Sequence, residues 1–263
     1  MNIRTLYKKL FFIALLPNIA WAETPLADPC ASLLAVLNRP TVADSSCVVK
    51  SGKVVIEMGT QYKELYLSDG HEYNYPEAQL RFGLPEGNEF TILTPNYISS
   101  QHLSGYTATT LGLKHQFVPI GPLVYTAESL FTLPSGDHNF GSEGLGVAVN
   151  AIVSYDFTAT LSTTIMLGYS SQTTAYNNGG EQYSSFNPDL VITWQPLQSL
   201  QFYAEVYGQT KTGPEESAGY NTDAGIQYLF TKNIEVDFGF GQRLSGTLDD
   251  FSHYLSAGGA VSF

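Results

Sequence analysis

The sequence has little of what a soluble enzyme or a helical membrane protein relies on. It holds two cysteines, two tryptophans and three methionines, and twelve basic residues stand against twenty-four acidic ones. With a net charge of −12, no basic patch is available for nucleic acid or for an anionic lipid surface. Beyond the N-terminal leader no stretch approaches eighteen apolar residues, so no helix spans a bilayer. A membrane protein without such helices has to be a closed barrel. Cofactor motifs are missing too. "HNFGSEGLG" lacks the GxGxxG order and opens no helix, while "SGTLDD", with Asp249 and Asp250, offers too few ligands for calcium. Neither a cofactor nor a metal is expected.

What is present begins with "MNIRTLYKKLFFIALLPNIAWA". Arg4, Lys8 and Lys9 precede an apolar run, and Ala20-Trp21-Ala22 follows it, the pattern of a secretory signal peptide over residues 1–22. Pro17 and Asn18 cut the run short of a membrane anchor. Cys30 and Cys47 then lie in an exported chain, where a disulfide is the expected state, and with no nearby histidine they make no metal site. Residues 23–51 carry "CASLLAVLNRP", a short helix ended by Pro40. Two readings of this segment stand open: a periplasmic or lumenal lid stapled by the disulfide, or a leader that orders the first strand.

From residue 52 to 263 the chain alternates. "NIEVDFGFG" sets Ile234, Val236, Phe238 and Phe240 against Glu235 and Asp237; "LQFYAEVYG" sets Leu200, Phe202, Ala204 and Val206 against Gln201, Tyr203, Glu205 and Tyr207. Such alternation predicts strands over 53–60, 76–84, 88–94, 105–116, 122–133, 143–155, 159–171, 186–195, 199–210, 221–230, 233–242 and 253–263. Their connections alternate as well. "PEGN", "VPIGP", "DFT", "PLQS" and "TKN" are short, whereas "YLSDGHEYNY", "PNYISSQHLSG", "PSGDHNFG", "TTAYNNGGEQYSS", "KTGPEESAGY" and "RLSGTLDDFS" are long. Short periplasmic turns and long external loops are the habit of outer-membrane barrels. The reading is therefore an all-β fold, a 12-stranded antiparallel transmembrane β-barrel in the outer membrane of a Gram-negative bacterium. Lipid surrounds its apolar faces, aromatic residues near the strand ends form girdles, and charged faces enclose the lumen.

Several segments add a likeness to this pattern. "SLFTLPSGDHNFGSEGLGVAVNAIVSYDF", "TIMLGYSS", "QFYAEVYGQT", "AGIQYLFTKNIEVDFGFGQRLSG" and the terminal strand resemble the outer-membrane transporter family labelled as a putative meta-pathway of phenol degradation protein. The resemblance covers roughly residues 120 to 263 and more weakly from 50. It implies an outer-membrane barrel and uptake of small molecules, aromatic ones included. No catalytic motif comes with it.

The functional expectation is passive diffusion of a small neutral or cationic solute past lumen-lining Glu57, Arg81, Lys114, Glu128, Glu205, Asp223, Glu235 and Asp237. Twelve strands lie between the side-chain-filled eight-stranded barrel and the open porin, so a narrow path is the physical expectation. The bland alternative for each charge is an ion pair that knits the interior. A second functional class is a surface interaction barrel with a shut lumen. A third, an outer-membrane hydrolase, needs a serine beside a histidine and an acid, and only His115 and Ser129 share a strand phase. Lipid, the solute and the barrel assembly machinery, which would meet the strand ending at Phe263, are the expected partners.

Overall fold

The computed structural model describes residues 28–263 apart from His102. The expected signal peptide and the first residues of the following segment lie outside the described residues, as does His102. Strands β1 (Val54–Leu65), β2 (His71–Tyr75), β3 (Gln79–Leu84), β4 (Asn88–Leu93), β5 (Tyr97–Ser100), β6 (Leu103–Tyr106), β7 (Thr110–Gln116), β8 (Leu123–Thr132), β9 (Gly146–Asp156), β10 (Leu161–Thr173), β11 (Gln182–Leu197), β12 (Leu200–Gln209), β13 (Gly219–Thr231), β14 (Ile234–Ser245) and β15 (Phe251–Ser262) make one antiparallel sheet. In three places a single ribbon is interrupted: β2 runs on into β3, β4 into β5, and β6 into β7. The wall therefore has twelve ribbons. It closes where β1 pairs with β15, from Val55 opposite Ser262 to Leu65 opposite Phe251, so no edge is left at the seam.

Alternation decides which side meets lipid. On β14, Ile234, Val236, Phe238 and Phe240 are exposed on the outside, while Glu235 and Asp237 are buried within. Ile165, Leu167 and Tyr169 repeat the outer face on β10. An apolar exterior around a charged interior is stable only if hydrocarbon lies outside, because in water both faces would be wrongly solvated. Stacked or edge-on rings, including Trp194 with Phe202 and Phe117 with Tyr125, sit near the periplasmic ends, as an interfacial girdle does.

Two of the expected external loops are shorter than the alternation suggests. The ladder continues through His71–Tyr75, Tyr97–Ser100 and Leu103–Tyr106, most of which the alternation alone places in loops. Cross-strand tyrosines hold these extensions: Tyr62 meets Tyr73, Tyr75 meets Tyr97, and Tyr97 meets Tyr106, with centroids 5.2 to 5.5 Å apart. Pro76 and Pro95 mark two of the interruptions, where a missing N–H breaks strand pairing. Backbone bonds bridge the first, since Gly59 and Glu77 exchange N–H···O contacts of 3.1 and 2.8 Å.

Residues 28–52 do not join the wall. They enter the lumen, with a short helix α1 (Leu33–Val36) that Ser32 caps by accepting the Ala35 N–H at 3.2 Å. Cys30 and Cys47 are joined, with Cα atoms 5.5 Å apart. Leu33, Val36, Leu37, Val49 and the disulfide pack against Val55, Val124 and Ala260 of the wall.

Candidate functional site: a charged lumen filled by the N-terminal segment

All eight sequence-selected lumenal residues are buried and lie on inward phases of their strands, and their partners separate them into three groups. Arg81 on β3 forms the first. Its guanidinium forks onto Glu89 at 2.8 and 3.0 Å and reaches Glu57 at 2.9 Å, while its remaining donors meet the carbonyls of Val36 and Cys47. A planar fork between two carboxylates is a geometry that arginine satisfies and lysine does not. Lys114 on β7 forms the second group. It pairs with Glu128 at 3.4 Å and also donates to Asn38 Oδ1 and the Ser45 carbonyl, while Glu128 accepts from Asn150 at 2.8 Å.

The third group has no basic partner among the described residues of the wall. Glu205 faces Asp223 across the β12–β13 ladder, and Asp223 accepts the Tyr254 hydroxyl. Glu235 keeps both oxygens without a hydrogen-bond partner among the described residues, at 1% exposure, and the buried Asp189 on β11 also keeps both of its oxygens without one. Asp237 pairs with the inserted segment: Arg39 Nη2 lies 3.1 Å away.

Carboxylates also bind the backbone of the N-terminal segment. Glu57 accepts the N–H groups of Asn38 at 3.1 Å and Arg39 at 2.8 Å; Glu205 accepts those of Val42 at 2.9 Å and Ala43 at 2.7 Å; Glu89 accepts that of Val49 at 2.6 Å. Gln116, Thr126, Ser154 and Gln227 add further polar contacts around the wall. A non-helical segment can lie at membrane depth only if such partners satisfy it. Two ionisable groups of this segment respond to their setting. Burial alone would loosen the proton on Arg39, but the charges of Asp237 and Glu77 outweigh it and hold that proton more firmly than usual. Burial, followed by the negative charge of Glu128, pushes Asp44 well above the usual carboxylate range.

Arg39, Asp44, Glu77 and Glu89 were not selected from the sequence. Glu89 carried a signal, since Glu89 and Thr91 alternate with Phe90 and Ile92 on a ribbon that Pro95 makes look weak. Arg39 carried none, being a base outside the alternating region.

Between the segment and the wall opens a cavity of about 1470 Å³ on the periplasmic side. Ser154, Thr164, Thr193, Gln201 and Gln227 contribute hydroxyls and amides, and Leu33, Leu37 and Ala43 contribute apolar surface. The periplasmic turns at Phe157–Leu161 and Gln198–Ser199 frame its mouth. Among the described residues no group of three His, Cys, Asp or Glu side chains is arranged to hold a metal ion. His115 and Ser129 do not form a catalytic pair. His115 Nδ1 lies 2.9 Å from Asn88 Oδ1 and its ring abuts Phe117, while Ser129 stands opposite Leu113.

The family model described as "Putative MetA-pathway of phenol degradation" matches residues 37–258. No curated protein shows significant similarity. Among solved structures, the COG4313 outer membrane channel from Pseudomonas putida F1 is similar over 85% of this chain and 100% of its own, with 12% identity and a TM-score of 0.67. The KdgM porin matches over 80% of this chain and 99% of its own at 12% identity, TM-score 0.54. The NanC porin matches over 79% and 98% at 12% identity, TM-score 0.53. These likenesses are of fold.

Proposed function

Because the chain belongs to the family described as "Putative MetA-pathway of phenol degradation", we propose that it is an outer-membrane channel through which a small solute diffuses passively. The observation that carries this reading is the closed wall whose apolar face is outside and whose charged and hydroxylated face encloses a cavity of about 1470 Å³. The buried acids determine what would pass. Glu57, Glu89 and Glu205 now accept backbone N–H groups of the inserted segment. When that segment shifts, the Glu205 oxygens and the Glu57 oxygen that Arg81 does not hold face solute, and they favour groups that donate hydrogen bonds or carry positive charge. Neutral hydroxyl compounds, phenols among them, and organic cations meet that requirement; anions do not. No covalent step is involved. The terminal strand, ending on an exposed Phe263, is the proposed contact for the barrel assembly machinery.

Planar-bilayer recording tests this reading. A cation-preferring current is expected, with the preference lowered by Glu205→Gln and Glu235→Gln. A second reading, a surface interaction barrel whose lumen stays shut, draws on the breadth of contacts between the inserted segment and the wall. Absence of current from the protein even after its disulfide is reduced would favour that second reading over the first.

A further inference from the structure

Arg39 occupies a place that the wall builds for it. Gly59 on β1 and Gly258 on β15 lie directly opposite each other across the seam, and a Cβ on either would collide with the Arg39 guanidinium. The two glycines thus leave a flat floor one guanidinium wide. Asp237 flanks it on one side, fully enclosed, with contacts of 3.1 Å to Nη2 and 3.4 Å to Nε. Glu77 flanks it on the other, 2.8 Å from Nη1. Glu77 is available because the interruption between β2 and β3 resets the alternation. Asn74 and Glu77, three residues apart, both turn inward, and Asn74 Nδ2 donates to Glu77 Oε1 at 3.1 Å. Glu235, on the same face of β14 and one inward position nearer the periplasm, is buried with both oxygens free of partners among the described residues.

Here two acids bracket one guanidinium over a floor with no side chains, and a third, unpartnered carboxyl lies beyond them. We propose that the Gly59–Gly258 floor with Asp237 and Glu77 is a recognition site for the guanidinium group of a solute, which Arg39 of the N-terminal segment occupies as a tethered stand-in. The proposal rests on the channel reading and deepens it by naming a solute class. When the segment shifts, Arg39 leaves and an incoming guanidinium takes its hydrogen bonds. Glu235 then provides the next carboxyl on the way to the periplasm. Guanidinium is favoured over a compact ammonium because a planar fork engages both flanking carboxylates at once.

The test is chemical rescue with millimolar guanidinium chloride, against matched sodium chloride and tetramethylammonium chloride. Arg39→Ala empties the slot; Arg39→Gln, which keeps the stem, serves if the first variant fails to assemble. In detergent, guanidinium should raise the heat-unfolding midpoint of the emptied variant but leave the wild type unchanged, and Asp237→Asn added to Arg39→Ala should abolish the shift. In bilayers, guanidinium should block the emptied variant at a concentration about tenfold lower than tetramethylammonium does. A midpoint shift without current keeps the site and removes the channel reading. Current without a midpoint shift or selective block keeps the channel and overturns the site, leaving Arg39 as an anchor.

Discussion

Breaking the Cys30–Cys47 bond should open the lumen. The disulfide closes a loop of separation 17, and within that loop lie nearly all the groups that bind the wall: the Val36 carbonyl, Asn38, Arg39, Val42, Ala43 and Ser45. When the segment leaves the wall it gains chain freedom, and the bond restricts that gain. For a loop this long the chain-entropy model puts the restriction at about 3 kcal/mol. Removing it favours the undocked state by a factor on the order of a hundred. The docked contacts do not change, so the shift falls on the docking equilibrium rather than on the barrel. Single-channel recording before and after a membrane-impermeant reductant reads this directly as the fraction of time spent open. Cys30→Ser with Cys47→Ser should show the raised fraction without reductant. If thiol labelling confirms reduction and the open fraction stays the same, the loop does not hold the segment in place and the reasoning is wrong.

Three further outcomes are expected. Glu235→Leu removes a buried carboxyl without a hydrogen-bond partner among the described residues and nearly keeps its volume, so the heat-unfolding midpoint in detergent should rise, by an effect of roughly 1–3 kcal/mol; a lower midpoint would mean that Glu235 has a partner after all. Ile165→Arg places a charge on the outer face of β10, and folding into lipid vesicles should weaken by about 2–4 kcal/mol, while no loss would put that face away from hydrocarbon. Asp44 binds its proton more tightly docked than free, so the docked state holds more protons and docking weakens as pH rises from the ordinary carboxylate range through the raised value. Asp44→Asn should flatten the resulting rise of open fraction with pH, and an unaltered slope would assign it to another group.

The wall was legible because a strand writes its two faces into alternate residues, and β12 and β14 do so without exception across lipid. Glu205, Asp223, Glu235 and Asp237, all buried, stand on one phase of that alternation. Loop lengths were less legible, since Tyr73, Tyr75, Tyr97 and Tyr106 continue the ladder outside the apolar region, where both faces meet water and the alternation fades. The inserted segment was least legible. It is held by carboxylates on backbone N–H groups, and every residue but proline has one, so no residue type reports the contact. Arg39 and Glu77 share a slot because a strand interruption and two glycines meet across the seam, an arrangement that no local window contains.

The seam also decides what the segment is tied to. Val55 and Ser262 lie far apart in the chain, and their pairing is what turns a curved sheet into a cylinder. The inserted segment runs directly into β1, one of the two strands that make this join. Cork and vessel therefore share one hinge: the residues that fill the cylinder are continuous with the strand that closes it.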